Sequence, residues 1–368
     1  AQAQLSLDLF QGPLIKALFF NLGTGQQGRL LIVAHHLVID AVSFRIIIED
    51  IQTNYSQLNR GEEVALPEKT ASFQQWARAL ADFACSPQLL SEIPYWLSQS
   101  QDRDGDLPVD FPNGINNEKS ACMVMVSLDE TDTQTLLQVV PTIYRTQIND
   151  ILLTALTLAI SQWRGIQPIL IDLEGHGREE VIAGIDLSRT VGWFTTIYPV
   201  RLNIGKVCNF TDTINTIKLQ LRQLPNKGIG YGVLRYLKHD LDTIEKLQFL
   251  PRAQLIFNYL GQFDQSLYTT DLFRLANEPY GALYCPEAIR SHVLQVVGSV
   301  WNGCLQINWI YSTNIHRRDT IEMLAQYFLD SLRNILFSCR TQEKVRYTTF
   351  DFPEAELSQK ELDGLFNE

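Results

Sequence analysis

The dipeptide Asn302-Gly303 separates two strand-like segments, residues 292–301 and 304–311, and it is the tightest local constraint in the chain. Asn-Gly between alternating apolar runs favours a two-residue hairpin, because both residues accept the left-handed backbone that matches strand twist. Further strands are predicted at 13–22, 29–36, 121–128, 168–173, 195–202 and 253–260, where apolar or alternating runs end at turn residues. The first two are joined by the Gly-rich segment 23–28. Helical periodicity covers 42–58, 72–83, 87–98, 131–144, 148–163, 211–224 and 318–337. Strands and helices that trade places in this way predict an α/β sandwich.

At 368 residues the chain exceeds the usual span of one hydrophobic core, so two lobes are expected. Residues 101–119 are rich in Asp, Pro, Asn and Gly and read as the connection, which gives expected lobes of 1–110 and 111–368. Trp76 and Trp96, each inside a predicted helix, are expected to anchor core packing. A net charge of −11 argues against nucleic acid as a partner. The six cysteines (Cys85, Cys122, Cys208, Cys285, Cys304, Cys339) are scattered without a CxxC and read as reduced core thiols of a cytosolic protein. No signal peptide and no membrane-spanning apolar run is present in the sequence, so a cytoplasmic location and no membrane partner are expected. The acidic tail from Phe350 is expected to be loosely held.

Two segments carry titratable chemistry. His35-His36-Leu37-Val38-Ile39-Asp40 follows an apolar strand, so the adjacent imidazoles are expected to point to opposite faces. His36 is the candidate acid/base group, whereas His35 and Asp40 read as structural, with Asp40 a helix cap or one half of a buried ion pair. Glu174 ends an apolar strand beside Gly175 and Gly177, where partial desolvation would raise its pKa towards neutrality. Arg178 and Glu179 read as ion-pairing residues. A histidine and a tuned carboxylate could take a proton from one face of a carbon and return it to the other. Zinc is not expected, because adjacent strand histidines diverge and no HxxxH or HExxH spacing occurs.

The order of motifs adds a resemblance. Residues 35–46 look like the HHxxxDGxSW segment of the condensation superfamily of nonribosomal peptide synthetases, with Ala41 in place of the usual Gly and Phe44 in place of Trp. EGHGRE at 174–179, RTVGWFT at 189–195 with Tyr198-Pro199, GIGYG at 228–232 and FNYLG at 257–261 follow in sequence. That series resembles the epimerization domains of the superfamily, and DILLTALTL at 150–158 resembles a further member of the set. Family members carry a longer stretch before the histidine motif, including a PxQxWF-like segment, so the resemblance implies an N-terminal lobe that is truncated here.

The resemblance implies a two-lobed, chloramphenicol acetyltransferase-like sandwich with a central tunnel. The tunnel would admit the phosphopantetheine arm of a peptidyl carrier protein domain, bearing an aminoacyl or peptidyl thioester, with neighbouring synthetase domains as further partners and no cofactor bound directly. It implies His36 and Glu174 as the catalytic pair acting through an enolate, whose oxygen a protonated His36 or a backbone N–H would stabilise. Asp40 is then expected to pair with Arg189 or Arg178, and Tyr231 and Asn258 are candidates to line the tunnel, with core packing as the competing reading. Trp193 and Phe194 are expected to brace the lobe interface. The alternatives are a condensation domain forming peptide bonds and a catalytically idle carrier-docking module.

Overall fold

In the computed structural model, Asn302 and Gly303 take φ values of 48° and 73°. They join β7 (Leu294–Trp301) to β8 (Cys304–Ser312), paired antiparallel from Trp301–Cys304 back to Leu294–Tyr311. The structure describes residues 2–99, 106–205, 209–238, 240–262, 272–274, 276, 278–281, 283–340, 361 and 364–365. Cys208, the start of the predicted connection (101–105) and the tail from Phe350 apart from residues 361 and 364–365 lie outside them.

The chain opens with a short helix, α1 (Gln2–Leu5), and the hairpin of β1 (Ile15–Phe20) and β2 (Arg29–Ala34). Helices α2 (Ala41–Asn59), α3 (Phe73–Phe83), α4 (Pro87–Leu90) and α5 (Ile93–Ser98) follow. The helix predicted over 87–98 is two pieces, because Pro94 lacks an N–H and is seated at the start of the second. Strand β3 (Ala121–Ser127) leads into α6 (Glu130–Gln134), which widens into a π turn at Thr135–Val139 before α7 (Val140–Tyr144). Pro141 cannot donate to the regular ladder, which accounts for the wider turn. Next come α8 (Ile148–Arg164), β4 (Ile169–Gly175), β5 (Thr196–Leu202) and α9 (Phe210–Arg222). The Gly-rich GIGYG segment starts a helix absent from the sequence expectation, α10 (Ile229–Tyr236), and α11 (Leu241–Gln248) is a second one. Strand β6 (Leu255–Gln262), the β7–β8 hairpin and the long helix α12 (Arg318–Arg340) complete the order.

Six strands form one mixed sheet in the order β3-β8-β7-β6-β4-β5. The β4–β6 and β6–β7 pairs are parallel, the other three antiparallel. Alternation sorts the two faces. Ile171, Leu173, Phe257, Val296, Ile307 and Trp309 are buried on one side, and α8 and α12 pack together over it. Helix α8 is apolar nearly all round, as a helix buried in the core must be. Its Asp150 reaches back to the Gln147 N–H (2.7 Å) and pairs with Arg222 (2.7 Å), so the DILLTALTL resemblance falls on a helix start. The opposite face, bearing Met125, Asp172, Glu174 and Asn258, is only partly covered. Helices α3–α5, which the expected boundary assigns to the first lobe, put Phe83, Leu89 and Trp96 into the same core as residues 124–339.

Among the described residues the cysteines are free, but Cys85 and Cys285 are exposed and Cys122 and Cys304 half-buried. Among the described residues only Cys339 is a buried thiol, which corrects the expectation of core positions for Cys85, Cys122, Cys285 and Cys304. Among the described residues no helix is long and apolar enough to cross a membrane.

The N-terminal elements are fastened to the sheet by a buried ion pair. Asp40 caps α2 by accepting from the Ser43 N–H (2.8 Å), and Arg178 donates to both its oxygens at 2.7 and 3.0 Å. The pair is almost dry, with side-chain exposures of 4% for Asp40 and 7% for Arg178. Arg178 also donates to the Ser43 hydroxyl (2.9 Å) and the Thr190 carbonyl (3.2 Å), and its guanidinium lies 4.1 Å above the Phe194 ring. The Phe194 N–H donates to Asp40 (3.1 Å). Gly177, at φ 67°, makes this possible: a Cβ there would lie 1.6 Å from the Phe194 carbonyl oxygen. Burial pushes the Asp40 carboxyl up, but the Arg178 and Ser43 hydrogen bonds and the guanidinium charge outweigh it and hold it below the usual range.

Two stability measurements follow from this packing. Phe328 is fully buried edge-on against Trp309, so Phe328→Ala should lower the unfolding free energy in urea by about 3–5 kcal/mol. Asp40→Ala strands a buried guanidinium and should cost about 3–5 kcal/mol at neutral pH. Because the folded Asp40 pKa is depressed, its contribution is present above the ordinary value of 3.8 and lost as pH falls through the lower folded value. The stabilities of the parent and the Asp40→Asn variant should therefore converge in acid; a constant gap across that window would contradict the assignment.

Candidate active site

The strand predicted over 29–36 stops at Ala34, and a single 3-10 turn, His36–Val38, carries the chain into α2. His35 caps that turn, its Nδ1 accepting from the Leu37 N–H (3.2 Å), and is half-buried. The two imidazoles thus sit at the start of a 3-10 turn rather than on a pleated strand. His36 is exposed, with its ring centroid 5.0 Å from that of Trp193 and the planes 52° apart. Ala41 is the first residue of α2 and is not among the positive-φ residues, so the missing glycine introduces no strain.

Glu174 is the penultimate residue of β4, opposite Ile197 on β5, with its side chain on the partly covered face. Asn258 on β6 donates from Nδ2 to Glu174 Oε2. Burial pushes the Glu174 carboxyl above the usual range, while the charges of His36 and His292 act to lower it. His36 and Glu174, 138 residues apart in sequence, are therefore within electrostatic reach of each other. A carboxyl raised by burial and an exposed imidazole near enough to act on it have the protonation chemistry of an acid/base pair.

The other expected residues separate into two sets. Asn258 belongs to the Glu174 site through its hydrogen bond. Tyr231 is buried against Trp96 (centroids 5.3 Å apart), and its hydroxyl accepts from Arg235 (2.6 Å). Of the two arginines considered for Asp40, Arg178 is the partner and Arg189 is not. Arg189 pairs instead with Asp50 and, at 3.4 Å, with Glu49, both on α2. Those acids lie about 15 Å along the helix from its Asp40 cap. Glu179 pairs with Lys227 (2.8 Å) and His176 (3.1 Å). Phe194 is buried beneath Arg178, but Trp193 stays half open, over His36.

Sequence reasoning missed Asp172 and His292. Asp172 lies two residues before Glu174 and shares its face, which the alternation in Ile-Leu-Ile-Asp-Leu-Glu already implies. His292 precedes β7 and bonds Asp172 through Nε2 at 2.9 Å; no local pattern marks that contact across 120 residues. Among the described residues, no group of three or more His, Cys, Asp or Glu side chains is placed to hold a metal ion.

Comparison with known proteins agrees with this architecture. The family model described as Condensation domain matches residues 1–357. A linear gramicidin synthase of Brevibacillus parabrevis is 47% identical over 365 residues, 99% of this chain but 5% of that protein. Tyrocidine synthase 1 of the same organism is 37% identical over 372 residues, 98% of this chain and 34% of that protein. The chain thus spans only a small part of these relatives. The crystal structure of the epimerization domain from the third module of tyrocidine synthetase B superposes with a TM-score of 0.86 at 37% identity, covering 93% of this chain and 76% of that one. The condensation domain of the Monacolin K polyketide synthase shares the fold at 15% identity and a TM-score of 0.66, over 92% and 75% of the two chains. The chain belongs to the condensation-domain family of nonribosomal peptide synthetases, and its likeness within that family is to an epimerization domain.

Proposed function

We propose that this domain inverts the α-carbon of an aminoacyl or peptidyl thioester presented on the phosphopantetheine arm of a carrier protein. The observation that supports it most is Glu174: a carboxyl raised by burial, bonded by Asn258 and within electrostatic reach of His36. A thioester acidifies its α-proton, so a positioned base can remove it and leave an enolate. One of the two groups accepts that proton, and the other delivers a proton to the opposite face, giving the inverted centre and a thioester intact throughout. The enolate oxygen needs a donor, for which a protonated His36 or a backbone N–H is suited.

A condensation reaction, joining two carrier-bound residues through a peptide bond, is the second reading, favoured by the family model that the chain matches. It gives the Glu174–Asn258 contact no evident chemical task. The two are separated by incubating the domain in heavy water with a carrier-bound aminoacyl or peptidyl thioester and a second, carrier-bound aminoacyl acceptor, followed by chiral and product analysis. Deuterium at the α-carbon with a mixed L/D product supports epimerization. Peptide-bond formation without exchange supports condensation.

Glu174→Gln and His36→Ala should each slow α-proton exchange by at least about a hundredfold, the usual scale for losing a general acid or base. Carrier affinity should stay near the parent value, since neither change touches charge elsewhere on the surface. A variant that exchanged at the parent rate would remove that residue from the mechanism.

A further inference from the structure

The cross-strand register carries the Glu174 site beyond its acid/base pair. Glu174 stands opposite Ile197 on one side and accepts from Asn258 on the other. From Asn258 the same row runs on through Val297 on β7, Asn308 on β8 and Met125 on β3, the strand at the sheet edge. Alternation along each strand puts these side chains on the partly covered face, with Glu174. Asn308 is the one polar side chain among Val297, Met125 and Ile310, and it is half-buried. Its Oδ1 is shut from solvent, yet no described residue donates to it. The outer end of the row is open, with Met125 53% and Met123 50% exposed.

We propose that this row binds the acyl chain of a peptidyl thioester, and that Asn308 is a specificity-determining residue that hydrogen-bonds a backbone amide upstream of the residue being inverted. This deepens the epimerase reading of Glu174 and rests on it. The order β4-β6-β7-β8 sets three strand spacings between Glu174 and Asn308, about 14 Å. An extended chain covers about 3.3 Å per residue, so a peptide unit three or four residues ahead of the α-carbon at Glu174 comes to lie over Asn308. A single aminoacyl group does not reach it. The chemistry fits as the length does. A side-chain amide offers one acceptor and two donors, the complement of a peptide unit. A buried amide oxygen left without a donor is costly, and a substrate N–H relieves that cost once the acyl chain is in place. Met125 and Met123, with flexible thioether side chains, can pack against differing residues of that chain. Val297, Asn308 and Met125 carry no charge, which suits a neutral acyl chain rather than the free α-ammonium of an aminoacyl group.

The test is calorimetric binding of two stable probes to the full chain: N-acetylalanyl and N-acetyltetraalanyl pantetheine amides, in which nitrogen replaces the thioester sulfur. The probes share their pantetheine arm, side chain and lack of charge, and differ only in reach. The parent should bind the long probe at least about tenfold more tightly, the scale of one or two added hydrogen bonds with some apolar burial. Asn308→Leu, close in size but unable to hydrogen-bond, should cut that preference by about fivefold or more. The ratio of the two Kd values is the readout, so a general loss of binding is not mistaken for loss of the subsite. A long probe that binds no better than the short one in the parent, whether both bind or neither does, would overturn the proposal, as would an unchanged ratio in Asn308→Leu. If Asn308→Leu does not fold, Asn308→Ala decides by the same ratio. Absence of α-proton exchange from carrier-bound thioesters would sink the epimerase reading, while the probe ratio would still decide the subsite.

Discussion

The Asp40–Arg178 pair is the contact on which the site's geometry depends. Two charges removed from water in this way are costly unless their hydrogen-bonding capacity is filled. Here Ser43, Thr190 and the Phe194 N–H supply the partners. His36 is four residues upstream of Asp40, and Glu174 is four residues upstream of Arg178. Clasping Asp40 to Arg178 therefore brings the two segments together, with His36 near enough for its charge to act on Glu174. Neither of the two groups proposed for proton transfer has to carry that structural load itself, so His36 stays exposed while burial raises the Glu174 carboxyl.

Around that frame the electrostatics are asymmetric. Glu174 is raised by burial and gains a neutral donor from Asn258, while the charges of His36 and His292, from different elements, act to lower it. Trp193, lying against His36, limits the directions its ring can adopt without neutralising it. The opposite sheet face contributes nothing polar to the chemistry. It is closed by α8 and α12 and supplies the rigid floor that holds the strand ends in place.

Much of this was legible because the informative residues sit in short, local patterns. The Asn302-Gly303 hairpin, the alternation in β4 and the paired HHLVID and EGHGRE segments each carry their own physical signal. What stayed hidden required long-range pairing. Arg178 and Arg189 were equally plausible for Asp40 until the Gly177 turn showed which one comes inward. His292, just before β7, reaches Asp172 on β4 across the intervening β6. Helix α10 was obscured by its glycines, which lower intrinsic helix preference where packing against Trp96 and Tyr198 overrides it.

The strand order has a consequence for recombining such domains. Strand β6 enters the sheet between β4 and β7, parallel to both, so the strand that bears Glu174 is completed by a segment some eighty residues later. A chimera joined between β5 and β6 would ask two parental lineages to agree on one hydrogen-bond register at the centre of the sheet. Asn258 would then meet Glu174 only if both parents shared that register. Crossovers that keep β4 through β8 as one inheritance avoid that register problem, and the segment bearing His36 and Asp40 must travel with them to keep the site whole.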